Sequence, residues 1–262
     1  QPKHAAGRAT AIDPLMGEAW TSLAIIRSSY EWEWAESEML FKRAIQLNPG
    51  YSVGHFWYSG DLLAPLGRLE EAKREVDIAR QLDPLSPIIV ECDGYLDLVS
   101  RRYDKAIDAY REALELDPNY YKAWASIGRA LIQKGEYDEA IHMLEKAHAL
   151  IGEIPNVLGA LGQAYALAGN SARARELLGQ LEEAAKTRYV TSTSIAIIHM
   201  GLAGLEGTPD DPIERDLALR ALEAGCHRRE LPLTNLNINP VYDSLRGELR
   251  FVRLLRRMRL VT

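Results

Sequence analysis

The side chains in this sequence best suited to holding a metal or acting as nucleophiles are its histidines and cysteines, and their spacing argues against both uses. His4, His55, His142, His148, His199 and His227 include no i, i+4 pair, and His142 and His148, six apart, fall on different sides of a helix. Cys92 and Cys226 form no C-x-x-C and are too few for a disulfide framework, which favours a reducing compartment. There is no G-x-S-x-G, no H-E-x-x-H, no phosphate-binding glycine loop and no kinase signature. Carboxylates such as Glu136, Asp138 and Glu139 stand at helix-surface spacing, where solvation and the helix dipole account for them. No catalytic residue, no metal and no cofactor is expected, so the remaining chemistry is noncovalent binding.

Charge is the first clue to what is bound. The net charge of −6 and pI near 5.6 argue against a nucleic-acid partner. Yet Arg246, Arg250, Arg253, Arg256, Arg257 and Arg259 share their stretch with one acid, Glu248, so residues 246–259 carry +5 and the rest −11. Leu245, Leu249, Val252, Leu255 and Met258 suggest an amphipathic helix over 241–259. Either its stripe caps the preceding helices with the arginines in water, or Arg250, Arg253, Arg256 and Arg257 dock on an acidic surface such as a second copy's body, a head-to-tail contact. No apolar run reaches the roughly 18 residues of a membrane span, and no signal-peptide pattern appears, so no membrane contact is required.

The positioning elements show in the small residues. Gly60, Gly94, Gly128 and Gly162 are 34 apart, as are Ala72, Ala106, Ala140 and Ala174, and Ala79, Ala113 and Ala147. Pro84 and Pro118 keep that step, while Pro14, Pro49 and Pro84 are 35 apart. A glycine inside a helical pattern costs roughly 1 kcal/mol against alanine, so it implies close approach of a second helix. The alanines, seven apart with Leu144 between Ala140 and Ala147, make one face of that helix. Gly67, Gly135 and Gly169 fall between the helices and suit a left-handed helix end. The prolines end one pair or open the next.

With Trp124, Ile127, Gly128, Leu131, Ala140, Leu144 and Ala147 as its fullest example, the pattern resembles the tetratricopeptide repeat family. The resemblance implies an all-α, right-handed α-α superhelix that binds a protein or peptide. It places five helix pairs at 15–48, 50–83, 85–117, 119–151 and 155–187, after a leading half repeat at 4–14. A degenerate sixth repeat follows at 190–225, with an insertion at 208–212 and its second helix stopped by Gly225. The remainder, 226–262, reads as a linker and a C-terminal capping helix.

In this family the first helices line a concave groove, and carrying those positions over gives Thr21, Ile25, Trp57, Asp61, Glu91 and Tyr95, then Leu98, Lys122, Arg129, Gln133 and Gln163. Trp20 and Trp124 fall on the family's structural tryptophan position, and Trp32 and Trp34 in an inter-helix turn. Phe56 takes the structural position in the second pair, which turns Trp57 toward the groove, to anchor a ligand or to pack. Arg129 faces either a partner's carboxylate or Glu91. The lysine and two asparagines by which some arrays grip chaperone tails are missing, which disfavours that ligand.

Tyr30–Ala35, His55–Tyr58, Asp83–Ser86 and the stretch from Asn239 to Leu255 resemble a bacterial subset of the family. There the array is the C-terminal, sensing half of a signalling protein that also carries a winged-helix, serine/threonine kinase or cyclase domain. The opening Gln1 and the half repeat imply a piece of something longer. The expected compartment is the cytoplasm, or the periplasm if a membrane helix precedes the array. Self-association is the alternative role.

Overall fold

A computed structural model describes residues 12–204 and 211–261. Most of the half repeat at 4–14, and residues 208–210 of the insertion, lie outside the described residues. The described chain is an all-α, right-handed solenoid of helix pairs with no strand among its described residues. The pairs are α1 (Gly17–Ile26) with α2 (Trp34–Leu47), α3 (Ser52–Trp57) with α4 (Leu69–Leu82), and α5 (Pro87–Val99) with α6 (Tyr103–Leu116). Then come α7 (Tyr121–Lys134) with α8 (Tyr137–Ile151), α9 (Pro155–Leu167) with α10 (Ser171–Ala185), and α11 (Ser192–Ala203) with α12 (Pro212–Arg228).

Small residues set the distance within a pair. A Cβ on Gly128 would lie 2.6 Å from Leu144 Cγ and 3.1 Å from the Ala140 carbonyl oxygen; one on Gly94 would lie 2.6 Å from the Tyr110 ring and 3.1 Å from the Ala106 oxygen. Such contacts leave no room for a methyl group in a core packed at crystal density. Tyr110, Leu144 and Ala140 are fully buried beneath them.

Gly60 does not belong to this series. Its Cβ would meet only Cys92 Sγ, at 3.6 Å. Ser59 occupies the close-packed position, with its hydroxyl donating to the Ala72 carbonyl at 2.8 Å. The 35-residue spacing of the first prolines explains the slip. Each of the first two pairs carries one extra residue, absorbed as a π-helical turn at the end of its first helix, Arg27–Glu31 after α1 and Tyr58–Leu63 after α3. The extra residue lies after the structural aromatic position, which keeps its six-residue offset from the preceding proline. Trp20 and Trp124 each donate Nε1 to the carbonyl six residues upstream, of Pro14 and Pro118, at 3.0 Å. In the second pair His55 Nε2 makes that bond to Pro49, at 3.2 Å. His55, and not Phe56, therefore fills the place, and Trp57 packs half-buried on Phe56 with ring centroids 4.8 Å apart.

The turns inside the pairs carry a second departure. Gly67, Gly135 and Gly169 have φ of +75° to +84°, as left-handed helix ends do. At the same step the first and third pairs carry Trp32 (φ 56°) and Arg101 (φ 59°). A side chain in that conformation costs about 1–2 kcal/mol, so both must be held by contacts elsewhere.

Those contacts come from the C-terminal end, which departs most from expectation. α12 runs through Gly225 to Arg228; Gly225 is a contact point, where a Cβ would lie 3.0 Å from Ser192 Cβ and from Glu230 Oε2. In place of one helix over 241–259, two short 3₁₀ turns, Leu231–Asn235 and Pro240–Leu245, precede α13 (Leu249–Arg257). This arm crosses the inner face and returns to the first pair. Arg101 donates to the Ile238 carbonyl at 3.0 Å and forks onto Asp243 at 2.7 and 2.8 Å. Trp34 Nε1 donates to the Met258 carbonyl at 2.8 Å, Arg229 reaches the Tyr30 carbonyl at 2.9 Å and lies over the Trp32 ring, and Arg259 pairs with Glu33 at 2.6 Å. Trp32 and Trp34 thus join one core with Leu222, Phe251, Leu254 and Met258, which links the two ends of the solenoid. The expected stripe holds in part: Leu245, Leu255 and Met258 are buried, but Leu249 is 74% exposed and Phe251 and Leu254 join the buried side.

Candidate functional site

Arm and solenoid together enclose a cleft of about 280 Å³. Its floor comes from the first helices of four successive pairs, α5, α7, α9 and α11, and its roof from Pro232, Asn235, Asn239, Val241 and Tyr242 of the arm. Of the residues expected in the groove, Glu91, Tyr95, Leu98, Arg129, Gln133 and Gln163 line it. Tyr95, Arg129 and Gln163 stand 34 residues apart, one per pair, so the period of the fold stacks three unlike side chains along one wall.

The other expected residues lie elsewhere. Thr21 is buried against the second pair, with its hydroxyl donating to the Gly17 carbonyl at 3.2 Å, and is not available to a ligand. Ile25 and Trp57 are partly buried against the core of the first three pairs. Asp61 sits in the second π turn and accepts from Ser29 Oγ of the first at 3.0 Å. Burial pushes its carboxyl up to about 7, against the Ser29 hydrogen bond. Lys122 is exposed, outside the cleft lining.

Inside the cleft Glu91 and Arg129 stay apart. Glu91 Oε1 accepts from Ser126 Oγ at 3.0 Å, and Arg129 Nη2 donates to the Asn156 carbonyl at 3.3 Å. Burial raises the Glu91 pKa against the pull of Ser126, Lys122 and Arg129, and burial lowers that of Arg129 against the attraction of Glu91. The two attract each other through space without meeting as the ion pair that the sequence suggested. Burial also raises the phenols of Tyr95, Tyr110 and Tyr242, so they stay protonated. Three polar atoms of the lining, Tyr95 Oη, Tyr110 Oη and Asn235 Oδ1, are buried without a hydrogen-bond partner.

Sequence reasoning missed Tyr110, which lies on a second helix and reads as core, and every arm residue. One signal was present: in Asn235-Leu236-Asn237-Ile238-Asn239 the apolar residues are buried and the asparagines half-exposed, an alternation no helix shows.

The arginine-rich end is largely engaged within the chain. Arg250 bridges Glu223 at 2.7 Å and Asp216 at 2.5 Å, and Arg246 pairs with Asp243 at 2.6 Å. Arg257 touches His227 at 3.3 Å, and Arg253 and Arg256 are exposed. Among the described residues no three His, Cys, Asp or Glu side chains gather as metal ligands, and no helix is long and apolar enough to cross a membrane.

Fold and cleft define a helix-pair solenoid whose inner face is roofed by its own C-terminal arm. The family profile described as Tetratricopeptide repeat matches residues 100–153 and 131–191, so this part of the chain carries tetratricopeptide repeats. Anaphase-promoting complex subunit 3 of Schizosaccharomyces pombe is 29% identical over 153 residues, 57% of this chain and 22% of that protein. The peroxisomal targeting signal receptor of Saccharomyces cerevisiae is 26% identical over 147 residues, 52% of this chain and 23% of the receptor. The chain thus spans under a quarter of the length of these relatives. Among solved structures, the APC/C hetero-tetramer Cut9–Hcn1 matches 97% of this chain and 51% of its own, with a TM-score of 0.64 at 16% identity, a likeness of fold.

Proposed function

We propose that the chain is a protein-interaction scaffold whose inner face takes an extended peptide segment, acting as the sensing part of a larger bacterial signalling protein. The observation that carries this reading is the arm. The inner face already holds a stretch of its own chain built of short 3₁₀ turns, whose Ile238 carbonyl and Asp243 carboxylate are gripped by Arg101 of the turn between α5 and α6. Peptide recognition uses the same means, main-chain contacts for affinity and pockets for selected side chains. The relatives support it by their names, one a subunit of a complex and the other a receptor for a targeting signal. The signalling context rests on the stretches from Tyr30 to Ala35 and from Asn239 to Leu255. Buried free thiols at Cys92 and Cys226 support a cytoplasmic location. Self-association through the basic end has less to draw on, because Arg250 is spent on Asp216 and Glu223.

Panning a random peptide display library on the intact chain tests the reading. Peptides should be enriched that bind the chain and lose at least tenfold in affinity with Arg101→Ala. No enrichment, or enriched peptides indifferent to that substitution, would overturn it.

A further inference from the structure

We propose that the roofed cleft is a binding site for one small zwitterion of the free amino acid type, its carboxylate on Arg129 and its ammonium group on Glu91. This site is separate from peptide capture, which uses the face that the arm follows.

Size comes first. A cleft of about 280 Å³ lies just below the roughly 300–1,000 Å³ of sites for drug-sized ligands, so it suits one small molecule and not a run of peptide.

Charge comes second. One guanidinium and one carboxylate line the cleft, so its formal charge is zero, yet their hydrogen bonds go to Asn156 and Ser126 and not to each other. Two half-buried opposite charges held apart in one cleft are each left short of an ionic partner. A ligand that is neutral overall and carries both charges supplies the two partners at once. A plain anion would leave Glu91 uncompensated, and a plain cation would leave Arg129 so.

Hydrogen bonding comes third. Tyr110 is fully buried, and its hydroxyl, that of Tyr95 and the Asn235 carbonyl oxygen are buried atoms of lining residues and have no hydrogen-bond partner. An unmade hydrogen bond at a buried group costs about 1–3 kcal/mol, and three in one cleft mark it as shaped around polar atoms. Both phenols can donate to a carboxylate beside Arg129, and Asn235 Oδ1 accepts from an ammonium group. Asn235 belongs to the roof, so a bound ligand would tie the arm to α5, α6 and α7.

The test is thermal shift and calorimetry on the intact chain with the twenty free L-amino acids, followed for each hit by its N-acetyl and its carboxamide derivative. At least one free amino acid should raise Tm, and blocking either charge should weaken binding at least tenfold. Glu91→Gln and Arg129→Gln should abolish the shift, and Tyr110→Phe should weaken binding about tenfold. Absence of any response from the wild-type chain would overturn the proposal, as would equal binding of the blocked derivatives or a response to anions alone. The derivative series uses the unaltered protein, so it decides the question even if a variant fails to fold. Failure here leaves peptide enrichment untouched, which separates the two readings.

Discussion

Trp34 donates its indole N–H to the carbonyl of Met258, 224 residues further on, at 2.8 Å. One bond thus joins the start of the first pair's second helix to the end of the arm. It sits in a core with Trp32, Phe251, Leu254 and Leu255, so opening it exposes apolar surface as well as an orphaned carbonyl. Trp34→Phe keeps most of the packing and should cost about 1 kcal/mol, the net worth of a hydrogen bond. Trp34→Ala should cost about 3–5 kcal/mol as a cavity opens. Urea unfolding checks both, and equal losses would mean that the indole does not seat as described.

Arg101 and Trp32 pose a question of strain. Both sit where the other pairs use glycine, and both hold the arm. Arg101→Gly relieves about 1 kcal/mol or more of backbone cost while deleting the grip on Ile238 and Asp243. Global stability should therefore change little, while amide hydrogen exchange at residues 238–246 quickens at least tenfold. Arg101→Ala keeps the strain and loses the grip, so it should be the less stable of the two. If exchange in the arm is unchanged in both variants, Arg101 is not its clamp.

Stability should fall as pH rises from about 4 to 8. Asp61 titrates near 7 in the folded chain, from a reference value of 3.8. An acid that keeps its proton longer when folded gives its full contribution below the reference value and loses it as pH rises through the folded one. His55 acts in the same direction. Burial opposes its charge, but the Glu75 carboxylate at 2.6 Å and the Pro49 carbonyl at 3.2 Å outweigh burial and raise its pKa. Asp61→Asn should therefore gain roughly 2 kcal/mol on wild type at pH 8, allowing for partial exposure of the carboxyl, and nothing at pH 4. Denaturation midpoints at the two pH values decide it.

The helix pairs were legible because a small residue at a helix contact recurs with the period of the fold, and no other residue type tolerates the place. Glu91, Tyr95, Arg129 and Gln163 followed from the groove positions of the family that the period resembles, carried over onto this chain. The arm was not legible, because Leu245, Leu249, Val252 and Leu255 read as one continuous helical stripe, of which Leu245 and Leu255 are buried but Leu249 is not. The chain breaks that helix at Pro240–Leu245 and rotates α13 so that Phe251 and Leu254 face inward, toward Trp34 and α12. Partners about 200 residues away leave no local trace in a sequence. The left-handed sites could have been found: the glycines at 67, 135 and 169 predict special turns at 32 and 101, and tryptophan and arginine there call for a reason.

The π turns allow a paired test of register. If Gly60 were the partner of Gly94 and Gly128, as its spacing alone says, adding a methyl group at any of the three would cost about the same. The structure sets them apart. At Gly128 the new Cβ would lie 2.6 Å from Leu144 and 3.1 Å from a carbonyl oxygen, whereas at Gly60 it would meet only Cys92 Sγ, at 3.6 Å. Overpacking costs about 1–3 kcal/mol, so Gly128→Ala should lose that much. Gly60→Ala should be neutral or gain up to about 1 kcal/mol, since alanine restricts the unfolded chain at a position it can adopt. Ser59→Val, which removes the hydroxyl bonded to the Ala72 carbonyl and crowds the true contact, should resemble Gly128→Ala. Chemical denaturation of the three variants reads this directly: a large loss at Gly60 with none at Ser59 would restore the 34-residue register and remove the extra residue from the second pair.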